Sequence, residues 1–272
     1  GSVFTSLPAH GTAVFPAGDV YTPVWRELAG PRLYLSFGAD DADVRLLQAA
    51  WSDNAWAVQA HTPLGKLSFT LHIAGRHNVM NALAATACAV AAGVPLDAIA
   101  QGLSGFTPVK GRSRAFSVDH GERSITVVDD TYNANPDSMR AAIDVLAALP
   151  GPRLLVVGDM GEVGDQGPLF HAEAGAHAKT RGIELVFALG DQSAHVVDSF
   201  GAAGVHHSGI DSLNAAVVAA LPEVGSVLVK GSRFMKMERV VAAITATQQQ
   251  KQASEENTMP VTSIAVAGGA RC

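Results

Sequence analysis

From about residue 124 onward the chain alternates between short apolar runs and stretches of helical period, and no other feature restricts its fold as strongly. Strands are predicted near Val127, Leu155, Val186, Val205 and Val227, and helices over 136–149, 168–181, 193–202, 211–221 and 235–246. Such alternation implies a parallel sheet, because each connection returns across a face of the sheet as a helix. The stretch after Asn135 shows the local logic. Asn135 can cap a helix, Pro136 suits its first position, and Met139, Ile143 and Leu146 recur on one face.

The first part of the chain has a different rhythm. Short strands are predicted at 12–15, 32–37, 56–59 and 67–71, each bounded by Gly, Pro, Asp or Asn, with Thr62-Pro63-Leu64-Gly65 as a hairpin turn. An alanine-rich helix then runs over 78–92 and stops at Gly93-Val94-Pro95, and a shorter one covers 96–103. A boundary is expected near Thr107-Pro108-Val109-Lys110-Gly111. The predicted division is 1–107 and 108–246, both α/β, followed by a mobile tail over 247–272 that is rich in Gln, Ser, Lys and Glu.

Composition narrows the function. A length of 272 residues fits about two domains, and 48% hydrophobic residues support real cores. A formal charge of −6 without a basic stripe argues against nucleic acid as a partner. No apolar run approaches the roughly 20 residues of a membrane helix, so membrane insertion is not expected. The two cysteines, Cys88 and Cys272, are far apart and read as reduced, as in a cytoplasmic protein. The chain starts Gly1-Ser2-Val3-Phe4, with neither methionine nor the pattern of a signal peptide, and reads as a piece of something longer.

Five polar motifs punctuate this framework. Gly75-Arg76-His77-Asn78-Val79-Met80-Asn81 places Asn78 and Asn81 on one face at the top of a helix, where their amides match the edge of an adenine; Asn78 serves equally as a plain cap. Lys110-Gly111-Arg112 lies at the boundary, where Arg112 can clamp a phosphate or simply belong to a solvated basic loop. Asp129-Asp130-Thr131-Tyr132-Asn133-Ala134-Asn135 follows an apolar strand. There Asp130 can accept from ribose hydroxyls, and Asn133 and Asn135 can hold a peptide-like ligand or build an Asx turn and cap. Gly158-Asp159-Met160-Gly161-Glu162-Val163-Gly164, with His171 nearby, either only turns the chain or lines a substrate mouth with Asp159, Glu162 and His171. Lys230-Gly231-Ser232-Arg233 ends a strand with cations suited to a carboxylate. Neither G-x-G-x-x-G nor G-x-x-x-x-G-K-[S/T] occurs, so a nucleotide-phosphate cradle of either type is not in this chain.

In order and spacing these motifs resemble the Mur ligase family, from about Val3 to Ile244. The Tyr132-Asn133-Ala134-Asn135 form with Lys230-Gly231-Ser232-Arg233 is closest to the type that adds D-Ala-D-Ala to UDP-MurNAc-tripeptide, ahead of the other Mur types and folylpolyglutamate synthase. The resemblance implies an ATP-dependent peptide ligase of peptidoglycan synthesis that works through an acyl phosphate. Residues 1–107 would be the second half of its central ATP-binding domain, and 108–246 its Rossmann-like C-terminal domain. Asn78, Asn81, Arg112 and Asp130 would serve ATP, and Asn133, Asn135, Lys230, Ser232 and Arg233 the dipeptide. The UDP-binding domain, the phosphate loop, most Mg2+ ligands and the main catalytic residues would lie upstream, in the same frame or a separate chain, and no metal site is expected here. The fragment would then be inactive alone. The alternative is a non-catalytic Rossmann-like binding or regulatory module.

Overall fold

The computed structural model describes residues 2–121 and 123–246; the expected tail at 247–272 and Cys272 lie outside them, and Cys88 is an exposed free thiol. The elements in order are α1 (Ser2–Thr5), β1 (Thr12–Pro16), α2 (Thr22–Ala29), β2 (Leu33–Gly38), β3 (Val44–Ser52), β4 (Ala55–Thr62), β5 (Gly65–Leu71), α3 (Arg76–Ala91) and α4 (Leu96–Ser104). Then come β6 (Arg114–His120), β7 (Arg123–Asp130), α5 (Pro136–Ala147), β8 (Arg153–Gly158), α6 (Gly167–Thr180), β9 (Leu185–Leu189), α7 (Ala194–Phe200), β10 (Gly204–His207), α8 (Ile210–Ala220) and β11 (Ser226–Lys230). Helical residues 238–246, α9 here, close the described chain.

The strands form two sheets. The first has the order β1-β2-β3-β4-β5. β1, β2 and the start of β3 are parallel, whereas β3, β4 and β5 form an antiparallel meander. Asp53 and Asn54 turn the β3–β4 hairpin with φ of 51° and 59°, the left-handed pair that matches the twist of its strands. α3 lies across one face, where Val79 and Ala82 meet Val58, Leu67 and Phe69, and Leu83 and Ala87 meet Val44 and Ala60.

The second sheet has the order β10-β9-β8-β11-β7-β6 and is parallel except for β6 at its edge. Successive residues point to opposite faces, so both faces of the central strands are apolar. Val128, Leu155, Val157 and Leu228 meet α5, α6 and α7 on one side. Val127, Leu154, Val156, Val227 and Val229 meet α8 and α9 on the other.

The α/β class and the strand–helix alternation match the sequence reading. Four elements were not anticipated, the first being the four-residue α1. β3 and β6 run at half-exposed positions and carry charged or small residues between their apolar ones, and α2 is a short helix started by Pro23. The helix expected at 235–246 is interrupted: Arg233–Met235 form a single 3-10 turn, Lys236 takes a left-handed φ of 52°, and α9 begins only afterwards.

Candidate nucleotide and anion site

The sheet edge formed by the carboxyl ends of β7 and β11 faces the start of α3 across the connecting segment 105–113. A cavity of about 410 Å³ opens there, and Asn78, Arg112, Asp130, Asn133, Asn135 and Lys230 all line it. It lies outside strand ends and beside the point where β11 separates β7 from β8, the usual place for ligands in an open α/β sheet.

Asp130 organises the cavity. Its Oδ1 accepts from the backbone N–H of Ser113 at 2.9 Å and from the Ser113 hydroxyl at 3.1 Å. Its Oδ2 accepts from Lys230 Nζ at 2.6 Å, and Lys230 also donates to the Asn133 carbonyl at 2.8 Å. Lys230 is 3% exposed, so its charge is neutralised inside the protein. The pair thereby ties β11, β7 and the Asn133 turn into one unit.

Asp129 performs a parallel task. Its Oδ2 accepts from Gly111 N–H, and its Oδ1 accepts from the Thr131 hydroxyl at 2.6 Å. The two consecutive acids therefore pin the connecting segment, one at Gly111 and the other at Ser113. Ser113 is left-handed, with φ of 49°, and its carbonyl accepts from Ala74 N–H at 2.9 Å, so this residue joins both sheets. Gly111 has φ of 82°, and a side chain there would press to 3.0 Å against the Tyr132 nitrogen.

On the opposite wall, Asn78 Nδ2 donates to the Ala74 carbonyl and Asn81 Nδ2 donates to Asn78 Oδ1, so the two amides form a short chain on α3. His77 faces the same space. Burial lowers its pKa below the ordinary value; Asp130 acts against that and Lys230 with it. Arg112 stacks on the Tyr132 ring, 3.9 Å from its centroid. Among the described residues it makes no ion pair, so it gives the cavity an uncompensated positive charge.

The remaining predicted residues occupy other settings. Asn135 builds a capping box: its Oδ1 accepts from Ser138 N–H, and Ser138 Oγ accepts from Asn135 N–H. Ser232 is buried, and its hydroxyl and N–H both donate to the Asp159 carbonyl. Arg233 is exposed, pairs with Glu238 at 3.5 Å, lies 5.9 Å from the Tyr132 ring centroid and is not among the residues that line the cavity. Asp159 accepts from Ser193 N–H and Oγ, both at 2.7 Å. Buried His171 accepts from Met160 N–H through Nε2 and donates from Nδ1 to the Gly167 carbonyl. Asp159 and His171 thus hold the glycine-rich loop in place.

His77, Ser113 and Tyr132 were given no ligand role by the sequence reading. His77 and Tyr132 stand inside motifs that were noticed, and that position was the available signal. Nothing local marks Ser113, whose importance comes from a partner 17 residues away.

Two family models match the chain: the Mur ligase middle domain over residues 1–89, and the Mur ligase, glutamate ligase domain over 114–233. The UDP-N-acetylmuramoyl-tripeptide–D-alanyl-D-alanine ligase of Escherichia coli K12 is 36% identical over 248 residues, which cover 90% of this chain and 54% of that protein. A crystal structure of MurF from Acinetobacter baumannii superposes with a TM-score of 0.76 at 31% identity, covering 89% of this chain and 53% of the other. A MurF ligase from Thermotoga maritima in complex with ADP shares the fold, with a TM-score of 0.73 at 21% identity, over 89% of this chain and 55% of that one. The chain spans about half the length of the curated relatives it matches.

Proposed function

Because the chain belongs to the Mur ligase family, we propose that it forms the part of an ATP-dependent ligase that joins D-Ala-D-Ala to UDP-MurNAc-tripeptide in peptidoglycan synthesis. Residues 1–107 would complete the ATP-binding domain and 108–246 would form the ligase domain. In such a ligase the tripeptide carboxylate is activated with ATP, and the dipeptide amine then displaces phosphate. The work of this chain is to bind and orient, and its natural setting is the cytoplasm. Among the described residues no helix is long and apolar enough to cross a membrane.

One observation carries the reading: the Asn78 amide on α3, backed by Asn81, a carboxylate at the end of β7 and an arginine on the connecting segment converge on a single cavity. The free capacity of these groups fits a nucleotide. Asn81 retains its carbonyl oxygen for an exocyclic amine. Asp130 Oδ1 is filled by its two bonds from Ser113, but Oδ2 keeps a lone pair beyond its bond from Lys230, which suits a ribose hydroxyl. Arg112 offers its fork to phosphate. On the dipeptide side, Asn133 and Arg233 have exposed side chains, whereas Lys230, Ser232 and Asn135 act by holding the loops that carry them. Magnesium would be held mostly by groups outside this chain. The phosphate loop is likewise absent from the sequence, so the chain alone would bind nucleotide without completing ligation.

Calorimetric titration with ADP tests the assignment. The wild-type chain is expected to bind, and Asp130→Asn to bind roughly ten- to a hundredfold more weakly, as for loss of a hydrogen bond to a charged group. No binding at millimolar ADP, or unchanged affinity in a folded variant, would overturn the nucleotide assignment.

A further inference from the structure

We propose that the β3–β4 hairpin is a strap that fixes the rotation of the first sheet against the second, with Trp51 as its anchor and so as a positioning residue for the nucleotide cavity. The strap follows from packing alone; only its effect on ADP rests on the nucleotide reading.

Trp51 and Trp56 are direct cross-strand partners near the hairpin tip, with ring centroids 5.3 Å apart and planes at 60°. They belong to different cores. Trp56 packs against the cluster beneath α3 and α4, which holds Val58, Leu67 and Phe69. Trp51 packs against the cluster on the α5 side of the second sheet, in which Ala74, just before α3, is also buried. An edge-to-face aromatic pair therefore joins the two cores, a contact stronger than its burial alone. The tip is held a second time. Asn54, left-handed with φ of 59°, donates from Nδ2 to the Ser117 hydroxyl at 2.8 Å, and Ser117 stands on β6, the edge strand of the second sheet.

The segment 105–113 fixes where the two units meet, but one attachment leaves rotation about it open. The hairpin adds attachments at Trp51 and Asn54. That rotation bears on the nucleotide cavity through a shared wall. The two tryptophans line a further cavity of about 420 Å³, completed by Ala148 and Leu149 at the end of α5. His77, Ala141 and Val145 line both this cavity and the nucleotide cavity. The partition is tightly packed: a Cβ on Gly75 would come within 2.6 Å of the His77 ring and 2.9 Å of Val145. Asn78 on α3 and Asp130 on β7 line one nucleotide cavity only while α3 and α5 keep this spacing. An anchor on one side of the partition thus sets the width of the space on the other.

The test measures residual dipolar couplings on the weakly aligned chain, together with ADP titrations. In wild type both sheets should report one common alignment. Trp51→Leu keeps an apolar side chain on β3 but no ring to reach the second core. It should give the two sheets different alignments and weaken ADP about three- to tenfold. Trp51→Phe restores a ring and should recover most of both. Asn54→Gly suits the left-handed turn, so it removes the amide without straining the hairpin, and should part the alignments less. The strap is overturned if Trp51→Leu, with β3–β5 still protected from hydrogen exchange, keeps the wild-type alignment. Should that variant unfold the first sheet, an unchanged alignment in Asn54→Gly overturns it instead. Alignments that part while ADP affinity stays constant would remove the positioning role. Failure of wild type to bind ADP would sink the nucleotide reading and leave the alignments to decide the strap.

Discussion

In the sheet of β6–β11 the central strands are paired on both edges and covered on both faces, α5, α6 and α7 lying on one side and α8 and α9 on the other. The sheet of β1–β5 is finished differently. α3 and α4 cover one face, while on the other α1 and α2 pack mainly around β1, where Phe4, Leu7 and Trp25 meet Ala13 and Phe15. Leu33 and Tyr34 of β2 stay exposed, and β3 alternates between half-buried and exposed residues along most of its length. Hydrophobic stabilisation scales with apolar area removed from water. The second sheet thus has the burial of a self-supporting unit, while the first is covered mostly from one side. The cavity lies between the two, and one segment, latched by Asp129 and Asp130, sets their relation.

The strongest challenge to this contrast is a matched pair of core deletions. Leu228→Ala in β11 and Leu83→Ala in α3 each remove a fully buried side chain and should cost about 4 kcal/mol. If the two sheets are separate units, Leu228→Ala should lower hydrogen-exchange protection across β7–β11 and leave β1–β5 unchanged, and Leu83→Ala should do the opposite. Loss of protection throughout the chain in both variants would show one cooperative unit and break the comparison.

A smaller effect is expected at the junction. Lys230→Met removes the partner of Asp130, whose side chain is only 16% exposed, and should destabilise the second sheet by about 3 kcal/mol. Denaturant melts should show this as a lower midpoint. Adding Asp130→Leu should recover part of the loss, because the unpaired charge rather than the missing attraction is the main penalty. A double variant worse than the sum of the singles would mean that the Lys230 bond to the Asn133 carbonyl dominates instead.

The uneven legibility of the sequence follows from the same physics. β7, β8, β9 and β11 were readable because strands buried on both faces are written as apolar runs. β3 and β6 were not, because half-exposed antiparallel strands mix charge and alanine into a weak pattern. The site residues stood out as polar groups after strands, and six of the nine line one cavity. Their partners did not stand out. Lys230 looked like a hand for a carboxylate, yet it is spent on Asp130, 100 residues away in sequence. Asn135 was read as both ligand group and cap, and its capping box accounts for its hydrogen bonds. Pairings across such distances belong to topology, which local patterns do not encode.

The smallest effect concerns acid, and it refines where the second sheet is most easily loosened. His171 is buried on α6, and both ring nitrogens are used in one neutral tautomer: Nε2 accepts from Met160 N–H and Nδ1 donates to Gly167. Protonation would set an N–H against an N–H. Burial is the largest influence and pushes its pKa below the ordinary 6.5; the Gly167 carbonyl and Asp159 pull upward, and His195 adds to the lowering. The sign follows directly. The unfolded chain takes up a proton near 6.5 that the folded chain refuses, so the contribution of neutral His171 is complete above that pH. It is lost as pH falls from there through the lower folded value. Stability should therefore decline on acidification, and His171→Gln should be less stable at neutral pH but show a flatter decline. The imidazole resonance of His171 should begin to titrate only below the range of exposed histidines, and protection should fall first in the glycine-rich loop after β8. A His171 signal that titrates at 6.5 or above, or a stability that rises toward acid, would remove this loop as the weak point of the better-covered sheet.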